Sequence, residues 1–421
     1  LTNKQLKREL GFWGAVLMGL GSIMGTGVFV SIGTAVDMAG WGAIVAIALS
    51  AMVAMVNGLN SAQLAASHPV SGGTYEYGYK YLNSWWGFTA GWLFLLAKSA
   101  SAATAALGFA GYFAVIAGFD PQWQTILAVG IVVCFTAIAV LGITRSHLAN
   151  TIIVSTTLLA LGFFVLAGSG LLLNSTFWEG ARSAIGRVNL GQMLQAAAFM
   201  FVAYTGYGRI ATMGEEVIHP QRTIPRAVVV ALGLTMGIYL LVTLVGMAGG
   251  IKAGAAPLAE VAVQFPFPYS SQILAIGGIT AILGVLLNLI LGLSRMLLAM
   301  ARRRDMPAFL AQINQSGTSP VPAVLTVGLA IALLSLVGNV KTTWSFSAFT
   351  VLVYYGITNL AALRLSQSDR LYPKGLSLAG LLACFFLAFW VEWQIWLVGL
   401  GLIALGLAWH AIALKYRAEN S

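Results

Sequence analysis

The chain has 421 residues, of which 59% are hydrophobic and only 8% charged, and its formal net charge is +10. That composition excludes a soluble globular domain and a disordered one, and the length suits about a dozen membrane spans joined by short loops. Cys134 and Cys384 both sit in apolar runs, which points to reduced packing residues and away from a disulfide framework.

The first apolar stretch, Phe12 to Val36, is too long and too uncharged for a signal peptide and reads as the first span. The pattern that follows predicts an all-α polytopic membrane protein with 12 transmembrane helices, at approximately 12–36, 41–66, 85–117, 123–143, 150–173, 192–213, 226–250, 270–300, 321–339, 344–364, 376–391 and 393–414. With the N-terminus inside, sixteen of the 22 Lys and Arg residues fall on the cytoplasmic side, and only Arg182, Arg187, Lys252 and Lys341 fall outside. This bias predicts an integral protein of a plasma or inner membrane with both termini cytoplasmic, and it explains the basic charge without nucleic acid. Trp85 and Trp86 before the third span, and Trp393 and Trp396 at the last hairpin, stand where interfacial aromatic belts form.

Two spans are interrupted. Gly21-Ser22-Ile23-Met24-Gly25-Thr26-Gly27 places three glycines in seven residues of the first, and Phe201 to Gly208 breaks the sixth in the same way. Irregular backbone at membrane depth survives only where it lines a cavity or holds a ligand, because an unpaired N–H or C=O in hydrocarbon is costly. Gly21 with Gly25, taken alone, also fits ordinary small-residue helix packing. Two breaks, each in the first span of a five-span half, point instead to a secondary transporter.

The helix resuming after Gly25 has free N–H groups suited to a carboxylate, while carbonyls near Ile23, Val202, Ala203 and Thr205 have lost helical partners and suit an ammonium. Donors for a carboxylate and acceptors for an amine together match the shared part of a free α-amino acid. The predicted substrate-binding residues are Ile23, Gly25, Thr26, Gly27, Val202, Ala203, Tyr204, Thr205 and Gly206.

Charges inside spans are few. Lys98 lies thirteen residues beyond Trp85, about 20 Å along the helix and so near the bilayer centre. Its functional reading is a proton-exchanging or fixed charge; its structural reading is a lysine bonded to carbonyls of a neighbouring broken helix. Arg209 follows the sixth-span break and either snorkels to the inner interface or serves as an inner-gate charge. With no carboxylate assigned to the core, these two charges disfavour a cationic substrate side chain. Asn288, Tyr354 and Tyr355 are further candidates for substrate contact or gating. Glu215 and Glu216 with Arg222 and Arg226 suggest a cytoplasmic charge network.

Several motifs resemble the amino acid, polyamine and organocation (APC) transporter superfamily, close to its L-type and cationic amino acid permease branches. Gly21 to Phe29 is similar to the first-span signature, Pro69-Val70-Ser71-Gly72-Gly73-Thr74-Tyr75 to the motif after the second span, and Gly214 to Arg226 to an acidic pair followed by paired prolines. Ser294-Arg295 with Ala301-Arg302 resembles the end of the eighth span. The resemblance implies a LeuT-like core of two inverted five-helix repeats, 12–173 and 192–364, with accessory helices in 376–414 between short cytoplasmic ends, 1–11 and 415–421. Thr157 stands where many sodium-independent members place a lysine, Gln63 where relatives often carry glutamate, and the eighth span offers only Asn288 where hydroxyls would hold sodium. The coupling or gating candidates are therefore Lys98, Thr157, Arg209, Asn288 and Tyr354.

The expected function is secondary active transport of neutral amino acids, as permease or exchanger, by alternating access. A cationic amino acid or polyamine transporter and a non-transporting membrane amino acid sensor are the alternatives. The expected partners are an amino acid substrate and the lipid bilayer; proton coupling and a homodimer stay open, and sodium is disfavoured. No enzyme activity, catalytic residue, cofactor, metal or nucleic acid is expected, since His68, His147, His219 and His410 are dispersed and no catalytic or nucleotide-binding pattern appears.

Overall fold

The computed structural model describes residues 10–70, 72–142, 147–213, 216–315 and 317–419. Most of the expected N-terminal segment, and Ser71, Arg145, Gly214 and Glu215, lie outside the described residues. Among those described, the regular structure is helical, apart from one isolated parallel bridge between Leu10 and Val217. In chain order the helices are α1 (Phe12–Ile23), α2 (Ile32–Ala39), α3 (Gly42–Ser67), α4 (Thr74–Tyr81), α5 (Ser84–Ala117), α6 (Gln124–Val140), α7 (His147–Gly168), α8 (Ser175–Ile185) and α9 (Leu190–Phe201). They continue as α10 (Gly208–Ala211), α11 (Pro220–Ala248), α12 (Pro257–Ala262), α13 (Ser270–Arg302), α14 (Val321–Val337), α15 (Val340–Leu363), α16 (Lys374–Ala388) and α17 (Trp393–Glu419).

Eight stretches are long and apolar enough to cross a membrane: Phe12–Ala39, α3, α5, Leu148–Leu173, α11, α13, α15 and Trp393–Lys415. Three shorter apolar helices, α6, α14 and α16, accompany them. The chain is thus a polytopic integral membrane protein. The long α5 runs against both α13 and α15, while α3 lies on α11 and α9, and α1 packs on α11 and α7.

Some boundaries differ from the sequence expectation for local reasons. The seventh span was placed from 226, but α11 starts at Pro220, whose missing N–H costs nothing in a first helical turn. The tenth was placed from 344, yet α15 begins at Val340 because Asn339 and Thr342 form a reciprocal cap, Thr342 N–H donating to Asn339 Oδ1 at 2.9 Å and Asn339 N–H to Thr342 Oγ1 at 3.0 Å. The short helices α4, α8 and α12 lie between the expected spans. Asn174, accepting from the Thr176 N–H at 3.0 Å, was the available signal for α8.

Of the expected charge network after the sixth span, Glu215 lies outside the described residues. Glu216 makes no ion pair with Arg222 or Arg226 among the described residues. The segment is held by backbone instead: the Leu10 N–H donates to Glu216 O at 3.1 Å and the Ile218 N–H to Leu10 O at 2.9 Å.

A buried amide cluster ties three helices together. Asn359 of α15 donates to Asn57 Oδ1 at 2.6 Å and accepts from Asn60 Nδ2 at 2.7 Å, both on α3, and Ser377 of α16 donates to Asn60 Oδ1 at 2.8 Å. Gln63 joins through its amide, donating to Asn60 Oδ1 at 2.8 Å. Each group is satisfied by another, the condition for polar side chains in an apolar interior. Asn359→Leu leaves Asn60 Nδ2 without its partner and Asn57 Oδ1 with only the Cys384 thiol, so thermal unfolding in detergent should register a loss of about 1–3 kcal/mol; an unchanged melting temperature would remove the cluster from the list of what holds α15 to α3.

Candidate functional site

The first interruption begins where α1 ends. Met24, at φ −80° and ψ 97°, is extended, and the chain resumes as a π-helical turn, Gly27–Ser31, before α2. The second interruption is a 3-10 stretch, Val202–Tyr207, between α9 and α10. The two meet. A Cβ on Gly27 would lie 2.6 Å from Ala203 Cβ and 2.9 Å from Ala203 Cα, and a Cβ on Gly206 would collide with the Ser22 carbonyl group and lie 2.6 Å from the Ile23 N. Two backbones approach this closely only because both positions lack side chains. Gly25 faces α13, with Val285 Cγ2 2.5 Å from where its Cβ would stand.

Hydrogen bonding at the crossing is unevenly used. Tyr239 of α11 places its hydroxyl 3.1 Å from Ile23 O and 3.2 Å from Ala203 O, so one side chain bridges released carbonyls of both interrupted helices. Thr205 Oγ1 donates back to Val202 O at 2.8 Å, and the Tyr355 hydroxyl donates to Thr205 O at 3.3 Å. Donors, by contrast, are in surplus. The N–H groups of Gly25, Thr26 and Gly27 open a new helix and have no preceding turn to bond, and the buried Thr26 hydroxyl has no hydrogen-bond partner among the described residues. A carbonyl has two lone pairs, so Ile23 and Ala203 can each accept a second donor beside Tyr239.

Lys98 reaches this crossing from α5. Its Nζ donates to Thr205 Oγ1 at 2.9 Å, and the side chain is half-buried. The structural reading expected a bond to a carbonyl of a broken helix; the bond is to a hydroxyl of that helix, which passes its own proton to Val202 O.

The profile of the amino acid permease family matches residues 10–404 of the chain. The chain belongs to the amino acid permease family. An uncharacterised transporter of Mycobacterium tuberculosis is 39% identical over 413 residues, covering 97% of this permease and 92% of the relative. A branched-chain amino acid permease of Bacillus subtilis is 27% identical, over 79% of this chain and 75% of its own. A mitochondrial cationic amino acid transporter of Arabidopsis thaliana is also 27% identical, over 86% and 63%. The protein is a transporter of the amino acid permease type.

The remaining predicted residues distribute unevenly around the crossing. Tyr204 turns away, its hydroxyl donating to Ile47 O on α3 at 3.2 Å while its ring packs 5.1 Å from that of Tyr239. Tyr354 also turns away, its hydroxyl lying 3.5 Å from where a Cβ on Gly73 would stand, and it is the adjacent Tyr355 that touches the sixth-span break. Asn288 is half-buried on α13, one turn beyond the Val285 that faces Gly25. Thr157 is buried on α7 and bonds back to Ile153 O at 2.7 Å, with no bond to either interruption. Arg209 is exposed, with Glu216 and Arg295 as the charges acting on it.

The permease is sealed on the α2 side of the crossing, where Phe29, Val30 and Phe201 are fully buried and Trp344 donates its Nε1–H to Phe199 O at 2.9 Å. It loosens on the opposite side, where Ser22, Gly206 and Gly208 are half-buried and Arg209 is exposed. Tyr239 was the residue missed by sequence reasoning. A tyrosine in the middle of an apolar span needs an acceptor for its hydroxyl, and two released carbonyls were the available ones. Gly206→Ala forces its methyl into the Ser22 carbonyl, an overpacking cost of about 1–3 kcal/mol, so substrate uptake should fall by roughly ten- to hundredfold; wild-type uptake would show that the two backbones do not touch in the working protein.

Proposed function

We propose that this permease carries neutral amino acids by alternating access, gripping the α-carboxylate and α-ammonium groups where its two interrupted helices cross. The observation that carries the reading is the uneven hydrogen bonding there: spare donors at Gly25, Thr26 and Gly27 and shareable carbonyls at Ile23 and Ala203. Substrate carboxylate would take the donors, and substrate ammonium would join Tyr239 on the carbonyls. Ile23, Gly25, Thr26, Gly27, Val202, Ala203, Thr205 and Gly206 form the proposed binding set, with Tyr239 added and Tyr204 in support.

Twelve spans are proposed: the eight long apolar stretches, the three shorter ones and the interrupted segment from α9 to α10. They would form inverted repeats over 12–173 and 192–364, with accessory helices in 376–414. Cytoplasmic termini follow from the distribution of Lys and Arg, and the looser side of the crossing, toward Arg209, then faces the cytoplasm. Transport would rock the bundle carrying the first and sixth spans between this arrangement and one open on the α2 side.

Lys98 supports the choice of neutral substrates. A positive side chain bonded to Thr205 repels a substrate side chain of the same sign; at an effective dielectric of about 20, two unit charges about 4 Å apart interact by about 4 kcal/mol. Cationic amino acids are the second reading, favoured by the name of the Arabidopsis relative. Uptake into proteoliposomes of radiolabelled alanine, leucine, glutamate and arginine, with and without internal amino acid and under separate sodium and proton gradients, separates these readings. Alanine or leucine uptake with arginine excluded is expected; arginine uptake at a comparable rate would overturn the neutral assignment. Lys98→Gln should then relax the exclusion, improving arginine relative to leucine by roughly ten- to hundredfold, and an unchanged ratio would leave selectivity to other residues.

A further inference from the structure

At the end of α13, a surface cavity of about 400 Å³ is lined by Glu76, Arg295, Leu298, Ala299, Arg302 and Arg303. Three guanidinium groups thus face one carboxylate. That carboxylate is already engaged: Arg303 Nη2 bonds Glu76 Oε2 at 2.9 Å, while its guanidinium carbon lies 4.2 Å from the centre of the Tyr79 ring. The other Arg303 terminal nitrogen, Nη1, is buried and has no hydrogen-bond partner among the described residues. Arg295 and Arg302 are exposed and make no ion pair among the described residues.

The like charges are drawn together by the helix itself. Arg295, Leu298, Ala299 and Arg302 recur at intervals of three and four, so they share one face of α13, and Arg303 follows directly as its C-cap. Arg209 of α10, which feels the Glu216 carboxylate first, also lies close enough to feel the charge of Arg295. Converging cations without enough carboxylates are repulsive unless an anion joins them, and guanidinium forks match the oxygens of a phosphate. Depth agrees with a headgroup: the cavity's Glu76 sits on α4, which folds against the start of α5, where Trp85 and Trp86 are exposed.

We propose that this cavity binds a phosphate-bearing anion, with Arg295 and Arg302 as its main ligands and Arg303 shared with Glu76. Basic pockets of this kind take lipid headgroups on the cytoplasmic side of membrane proteins; free phosphate has the same chemistry. The site is separate from the helix crossing and does not depend on the substrate assignment.

Binding would be measured on the full chain without amino acid, by thermal shift and native mass spectrometry. One arm adds inorganic phosphate to protein in neutral detergent; the other compares nanodiscs of phosphatidylcholine with nanodiscs containing phosphatidylglycerol. A response in the lipid arm alone assigns the site to a headgroup, and a response to phosphate assigns it to the free anion. Arg295→Gln and Arg302→Gln should each weaken binding roughly fivefold. Glu76→Gln should tighten it by freeing Arg303, a gain that misfolding cannot imitate. No response in either arm, or anion binding unchanged in the Arg295→Gln/Arg302→Gln double variant and in Glu76→Gln, would overturn the proposal.

Discussion

Backbone polar groups released inside a membrane have no water to turn to, and the centre of this permease is organised around that constraint. Two helices stop short of crossing whole, and each break leaves carbonyls and N–H groups that something must answer. The carbonyls are answered by side chains from other helices: Tyr239 on Ile23 and Ala203, Tyr355 on Thr205, and Trp344 on Phe199. Each of these residues fastens the broken helices to a neighbour, so satisfying the backbone also fixes the position of the crossing. The donors after Gly25 are treated differently. They stay available, and it is on that asymmetry that the proposed carboxylate site rests.

Charge around the crossing follows the same logic. Lys98 does not sit as an isolated ion in hydrocarbon; it donates to Thr205, whose hydroxyl donates onward to Val202 O. The relay ties the positive charge to the 3-10 stretch of the sixth-span break, so Lys98 fastens the break and sets its sign together. A buried carboxylate is found at the end of the bundle. Asp305, wholly buried, accepts from the Tyr75 hydroxyl at 2.6 Å and the Tyr79 hydroxyl at 2.7 Å, joining α4 to the turn after α13.

The helical class and both interruptions were legible in the sequence because glycine spacing within an apolar run is a local signal. Gly27 and Gly206 lie where the two interruptions meet, but the sequence offered no sign that they face Ala203 and Ser22, because that contact joins residues far apart in the chain. Tyr354 was preferred to Tyr355 for the site because nothing local separates adjacent tyrosines, and only the rotation of α15 sends one toward Gly73 and the other to Thr205. Tyr239 and Asn359 were invisible for the same reason: each matters through partners on other helices. Lys98 stood out by charge alone, but its bond to Thr205 depends on how α5 lies against the sixth-span break.

The most direct test is a cryo-electron microscopy map of the permease with leucine bound. The leucine carboxylate should lie within hydrogen-bond reach of the Gly25 to Gly27 N–H groups and the Thr26 hydroxyl, with its ammonium on the Ile23 and Ala203 carbonyls beside Tyr239. Leucine found elsewhere, for example in the cavity of about 310 Å³ lined by Thr34, Gln124, Asn339 and Lys341, with the crossing empty, would contradict the central claim.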